Sequence, residues 1–155
     1  MFQSANIIRK LVVILAVFAA AGCAQQASQP LQSAAETGPE LAGAWYQVYF
    51  DTNSSTINAR GQMIAKTVAY LVANNGTTRV TVIGKTDRVG APPANMALAQ
   101  RRAEAVSDAL ITAGVPTARI DTSWAGEGKQ QVATADDISE PRNRVVDITV
   151  LQQPR

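Results

Sequence analysis

The sequence predicts an α+β domain, a two-layer sandwich on a mixed four-stranded sheet with the element order β-α-β-α-β-β. Three observations carry this. From Trp45 onward, short runs rich in Val, Ile, Tyr and Trp alternate with two longer amphipathic stretches. Polar or Gly/Asn/Pro clusters punctuate the runs. The chain has 155 residues, 46% of them hydrophobic and 17% charged, which suits one core of ordinary size plus a tail.

Residues 45–50 read as the first strand, closed by the polar run Asp51-Thr52-Asn53-Ser54-Ser55. Residues 58–73 read as a helix in which Ile64, Val68, Leu71 and Val72 form one apolar stripe, stopped by Asn74-Asn75-Gly76. Residues 79–84 (Arg-Val-Thr-Val-Ile-Gly) are the second strand. Residues 94–113 are a second helix, with Ala99, Ala103, Val106 and Leu110 turned inward and Gly114-Val115-Pro116 beyond its end. Residues 119–125 are the third strand. An acidic loop containing Asp136, Asp137 and Glu140, with room for a short helix, leads to a last strand over 144–151. There is no internal repeat.

The chain contains no His and a single Cys. That removes His-based triads, imidazole acid–base chemistry, most zinc sites and any internal disulfide, and no cofactor is expected. The formal charge of +2 comes from Arg9 and Lys10, and residues 1–22 hold no acid, so the rest of the chain is neutral. A neutral domain argues against nucleic acid as a partner. Gly84-Lys85-Thr86 imitates the end of a phosphate-binding loop, but the leading Gly would have to stand at Arg79, inside a strand.

Residues 1–22 have the form of a secretory signal peptide: a basic start ending in Arg9-Lys10, an apolar run from Leu11 to Ala21 and a small-residue exit. The run is shorter than the ~20 apolar residues of a membrane span. Ala20-Ala21-Gly22-Cys23 resembles the bacterial lipobox, although Ala20 stands where Leu is usual. The resemblance implies that Cys23 is acylated and becomes the first residue of the mature chain; the alternative is an ordinary signal peptide that happens to hold a Cys. In such lipoproteins Asp after the Cys favours the inner membrane. Ala24 stands there, so the resemblance implies the outer membrane, with the domain in the periplasm. Residues 23–43, rich in Ala, Gln, Ser, Pro and Gly and free of aromatics, read as a flexible linker to a domain over 44–155.

The distinctive segment joins the second strand to the second helix. The loop from Lys85 through Thr86, Asp87, Arg88 and Gly90 leads to Asn95. Asn95 and Arg102 are seven apart, about 700° of helical rotation, so they share a face with Leu98 between them. Arg102 is expected at the edge of the core, leaning toward the strand-exit loop that bears Asp87. An acid and a guanidinium held there can bind a zwitterion, the Asp taking an ammonium and the planar Arg fork a carboxylate. On that expectation, replacing either residue with Ala abolishes binding and leaves the fold intact.

This segment closely resembles the OmpA-like peptidoglycan-binding domain. Thr86-Asp87, Asn95, Leu98, Arg102-Ala103, Val106 and Leu110 fit the family pattern at its spacing. So do Val48-Tyr49-Phe50-Asp51, Ser54, Ser55, Ile57, Gly126-Glu127, Asn143-Arg144 and Asp147-Ile148, and the likeness spans about residues 45–151. The resemblance implies non-covalent binding of peptidoglycan through the diaminopimelate of its stem peptide, with Asp87 and Arg102 as the gripping pair. Asn95 would shape the pocket and Thr86 and its neighbouring amides would add donors. Lys85, Leu98, Asn143 and Arg144 are secondary candidates, the last two chiefly as structure at the start of the last strand. Arg88 and Arg101 read as surface charges.

Three positions depart from the family pattern. Lys85 replaces a His or aromatic, Ala99 replaces a Ser, and Val145 replaces the second Arg of Asn-Arg-Arg. A cation at 85 beside the ammonium subsite would weaken binding or engage a carboxylate instead. Together with Val145, it leaves open an adaptor of envelope proteins with a degenerate pocket. A peptidoglycan hydrolase is a weaker alternative, because a glycosidase needs two carboxylates on a groove, one with a raised pKa, and a neighbouring Arg keeps Asp87 ionised.

Overall fold

The computed structural model describes residues 43–152; the signal segment, Cys23 and most of the linker lie outside the described residues. The elements are β1 (Ala44–Tyr49), α1 (Ala59–Asn74), β2 (Thr78–Lys85), α2 (Pro92–Thr112), β3 (Ile120–Gly126) and β4 (Val145–Gln152). One-turn 3-10 helices over Thr117–Arg119 and Pro141–Asn143 precede β3 and β4, the second being the short helix expected in the acidic loop.

The ends of the helices are set by local chemistry. Asn58, expected as the first helical residue of α1, is its cap, and its side chain accepts from the Gly61 amide at 2.9 Å. At the other end the Asn74 and Asn75 side chains fold back and donate to the carbonyls of Tyr70 and Leu71 in the last turn. Helix α2 begins two residues earlier than the sequence pattern suggests, because Pro92 and Pro93 occupy first-turn positions where no intrahelical N–H is needed.

The sheet order is β1-β4-β2-β3. Strand β4 is antiparallel to both β1 and β2, and β2 is parallel to β3 through the α2 crossover. Strands β1 and β2 therefore run the same way with one strand's width between them, and the last strand fills it. Val80 and Val82 of β2, and Val146, Ile148 and Val150 of β4, point to the helices. They meet Val68 and Val72 of α1 and Ala103, Val106 and Leu110 of α2. All four residues predicted to face inward on α2 are buried, as are Val68 and Val72 on α1. Among the described residues no helix covers the opposite sheet face, and Trp45 on it is 56% exposed.

Helix α2 lies close against β2. A Cβ built on Gly84 would collide with the carbonyl oxygen of Ala99 and crowd the Ala103 methyl. The small residues at 84, 99 and 103 thus set how near the helix backbone approaches the strand, and with it the height of the strand-exit loop against α2. Gly84→Ala is expected to destabilise the domain by about 2 kcal/mol through overpacking against backbone that cannot yield. A lowered urea midpoint with unchanged m-value checks this.

Candidate functional site

Because β1, β2 and β3 run together and β4 runs against them, one edge of the sheet gathers three strand ends and one strand start. Asp51 follows β1, Thr86 and Asp87 follow β2, Glu127 follows β3, and Arg144 precedes β4. The first turns of α2 stand beside them. Between these loops and α2 is a cleft of about 460 Å³ whose lining includes Asn53, Asp87, Asn95, Leu98 and Arg101.

Asp87 is only 5% exposed, and its two carboxylate oxygens differ. Oδ2 takes three contacts: Arg144 Nη1 at 3.1 Å, and the longer approaches of Ser139 Oγ and the Glu140 amide, both at 3.4 Å. Oδ1 has no hydrogen-bond partner among the described residues, and it is not sealed from solvent. One oxygen is thus anchored to the loop preceding β4, while the other is free to accept.

The structure corrects the expectation for Arg102. Its side chain is 0% exposed and does not face Asp87 across an open hollow. Nε donates to Ser54 O at 2.8 Å, Nη2 to Asp51 O at 2.9 Å and Nη1 to Lys85 O at 3.1 Å. The guanidinium carbon lies 5.2 Å from the centroid of the Phe50 ring. Helix α2 thereby pins the loop after β1 and the end of β2 with one cation. Burial pushes the Arg102 guanidinium down to about 10; the negative charge of Asp87 opposes this, while Arg144 and Arg101 add to it. It remains protonated at neutral pH. The cation in direct contact with Asp87 is Arg144, whose Nε also donates to Phe50 O at 3.2 Å.

The other expected residues fall into two groups. Asn95, 4% exposed, and Leu98 line the cleft with Asp87. Thr86 is buried beside it; its amide donates to Gly126 O at 2.9 Å and its hydroxyl has no partner among the described residues. Asn143 is structural: Nδ2 donates to Val132 O, and Oδ1 accepts from the amides of Gln131 and Val132. Lys85 does not belong to the cleft. Its ammonium pairs at 2.6 Å with Asp147, which alternates with the core residues Val146 and Ile148 and so lies on the helix-free sheet face. The expected cation beside the ammonium subsite is therefore elsewhere. Only the Lys85 carbonyl serves the site, through Arg102.

Two residues gain importance that the sequence did not suggest. Arg101, read as a plain surface charge, lines the cleft. Glu127, noted only as part of a Gly-Glu pair, accepts from Asn95 Nδ2 at 2.7 Å. The signal for Glu127 was the parallel β2–β3 pairing, which sets Lys85 opposite Gly126 and so Glu127 near Thr86. Beyond the cleft, Glu140 is held at about 2, first by the side chain and then by the backbone N–H of Arg142. Among the described residues no group of three or more His, Cys, Asp or Glu side chains is placed to hold a metal ion. No described helix is long and apolar enough to cross a membrane.

A four-stranded sheet backed by two helices, with an acid and an amide in a cleft where the parallel strands end, defines an OmpA-like domain. The chain belongs to the OmpA family, whose pattern matches residues 49–144. It is 39% identical over 109 residues to an outer membrane protein of Gluconacetobacter diazotrophicus, covering 66% of this chain but only 29% of that protein. It is 33% identical over 142 residues to the peptidoglycan-associated lipoprotein of Agrobacterium fabrum, covering 83% of this chain and 79% of that one. The crystal structure of the peptidoglycan-associated lipoprotein from Burkholderia pseudomallei matches with a TM-score of 0.63 and 30% identity, over 68% of this chain and 89% of that chain.

Arg102→Lys is expected to lower stability by about 2–3 kcal/mol, since an ammonium keeps the charge but gathers its donors on one nitrogen and cannot reach carbonyls spaced around the three nitrogens of a planar guanidinium. Arg102→Ala is expected to cost more, correcting the expectation that it leaves the fold intact. Urea denaturation followed by circular dichroism measures both.

Proposed function

We propose that this protein is an outer-membrane lipoprotein that binds peptidoglycan non-covalently, through the diaminopimelate of the stem peptide, and tethers the membrane to the wall. Membership of the OmpA family and the names of the relatives support the coarser part, a peptidoglycan-binding protein of the outer membrane. The observation that carries the finer part is the division of labour on Asp87, a cleft-lining residue whose Oδ2 is fixed by Arg144 while Oδ1 has no hydrogen-bond partner among the described residues.

In this reading Asp87 Oδ1 accepts from the ammonium of diaminopimelate. A carboxylate held by a charge-assisted bond from its rear keeps its forward oxygen in a set direction. Arg102 serves the carboxylate end of the ligand through its charge, because three of its N–H groups are given to carbonyls. Arg101 at the rim adds a second positive charge. Asn95 and Leu98 supply the wall of the cleft and Thr86 its neighbouring polar group. No bond is broken: the Asp87 carboxylate, paired from behind with Arg144, accepts from an ammonium and takes no part in bond cleavage. Each charge-assisted contact contributes about 1.5–3 kcal/mol, partly offset by immobilisation, so affinity for one stem peptide is modest. Tight attachment follows from many anchored copies meeting a polymer with many stems.

Asp87→Asn keeps the size of the side chain but removes the charge. It is expected to lose sedimentation with purified diaminopimelate-type sacculi while retaining the circular dichroism of the parent; retention on sacculi at the parent level would overturn the site. For the anchor, Cys23→Ser is expected to release the chain from the membrane fraction or leave it as precursor. Normal processing together with normal membrane sedimentation would overturn acylation at Cys23.

A further inference from the structure

Asn95 lines the cleft, yet its amide is not free to turn. Nδ2 donates to Glu127 Oε2 at 2.7 Å, and an ionised carboxylate can only accept. The amide therefore offers its NH2 group to Glu127, which turns Oδ1 the other way. Oδ1 of Asn95 has no hydrogen-bond partner among the described residues and is not sealed from solvent, the same condition as Oδ1 of Asp87.

Glu127 is itself held in place. Gly126 before it has φ +55, a left-handed conformation that a side chain would strain, and a Cβ there would stand 3.3 Å from Met96 Cα. The end of β3 is thus pressed onto the first turns of α2, and Glu127 emerges beside Asn95. Arg88 Nε lies 4.0 Å from Glu127 Oε1, and Arg88 is tied by Nη1 to Thr134 O at 3.2 Å and to Asp136 at 3.1 Å. One oxygen of Glu127 faces a cation and the other faces the amide.

We infer that Glu127 is a positioning residue that sets the polarity of the cleft, holding Asn95 so that it presents an acceptor beside the acceptor of Asp87. Two acceptors lining one cleft favour a group with several N–H donors, a primary ammonium, over an acylated amine or a carboxylate. This rests on the diaminopimelate reading given above and adds the residue that makes the pocket choose the free amine.

The test uses the full-length protein in detergent, titrated with diaminopimelate and with its di-N-acetyl derivative. The parent is expected to prefer the free amine by at least about tenfold, the worth of a hydrogen bond to a charged group. Glu127→Gln lets either end of the Asn95 amide face residue 127, and the preference is expected to fall by about that factor. The exchanged pair, Asn95→Asp with Glu127→Gln, again has one carboxylate and one amide in contact and again turns an acceptor to the cleft. It is expected to regain the preference, whereas a mere brace between α2 and β3 would leave the preference unmoved in all three proteins. An unchanged preference in Glu127→Gln, or a loss that the exchanged pair does not restore, overturns the role of Glu127 while the binding site stands. Absence of diaminopimelate binding by the parent overturns the proposed function, and this inference with it.

Discussion

Arg102 carries a full charge into a place that water does not reach, and the working end of the domain is organised around satisfying it. Desolvating a guanidinium costs several kcal/mol unless its donors are used. Three backbone carbonyls, from Asp51, Ser54 and Lys85, and the face of Phe50 meet that demand. Those carbonyls belong to the loop after β1 and the end of β2, so the charge decides where both stand relative to α2. Asp87, two residues past Lys85, inherits its position from that arrangement.

The two arginines divide what the sequence suggested one would do. Arg102 builds the frame from within, and Arg144 reaches Asp87 from the start of β4. This leaves the carboxylate with a bound rear oxygen and an available forward one, a more defined acceptor than an acid on a loose loop. Asn95 repeats the pattern, one end held by Glu127 and the other open. A preorganised pair of this kind loses little freedom when a ligand arrives.

The fold was legible because its elements obey short-range rules. Val80 and Val82 alternate, Val106 and Leu110 recur at helical spacing, and Asn75-Gly76 stops α1, so each element announced itself within a few residues. The ends shifted only where a cap or a Pro moved them, at Asn58 and Pro92. At the candidate cleft, the gathering of Asp87, Asn95 and Leu98, with Thr86 beside them, was legible because strand exit and helix face lie close in sequence. The role of Arg102 was not, since seven-residue spacing gives a direction around a helix but not the depth of the groups it meets. Nor were the partners of Lys85 and Glu127, which depend on strand register across gaps of 62 residues to Asp147 and 32 residues to Asn95. Pairings of that range follow from topology rather than from any local pattern.

Strand β4 is the last of the four to leave the ribosome, yet it occupies the interior of the sheet, with β1 on one side and β2 on the other. Until it arrives, the two earlier strands have no common neighbour, and Val146, Ile148 and Val150 are missing from the middle of the core. The sheet therefore joins into one surface, and the core fills, only when β4 pairs with both of its neighbours.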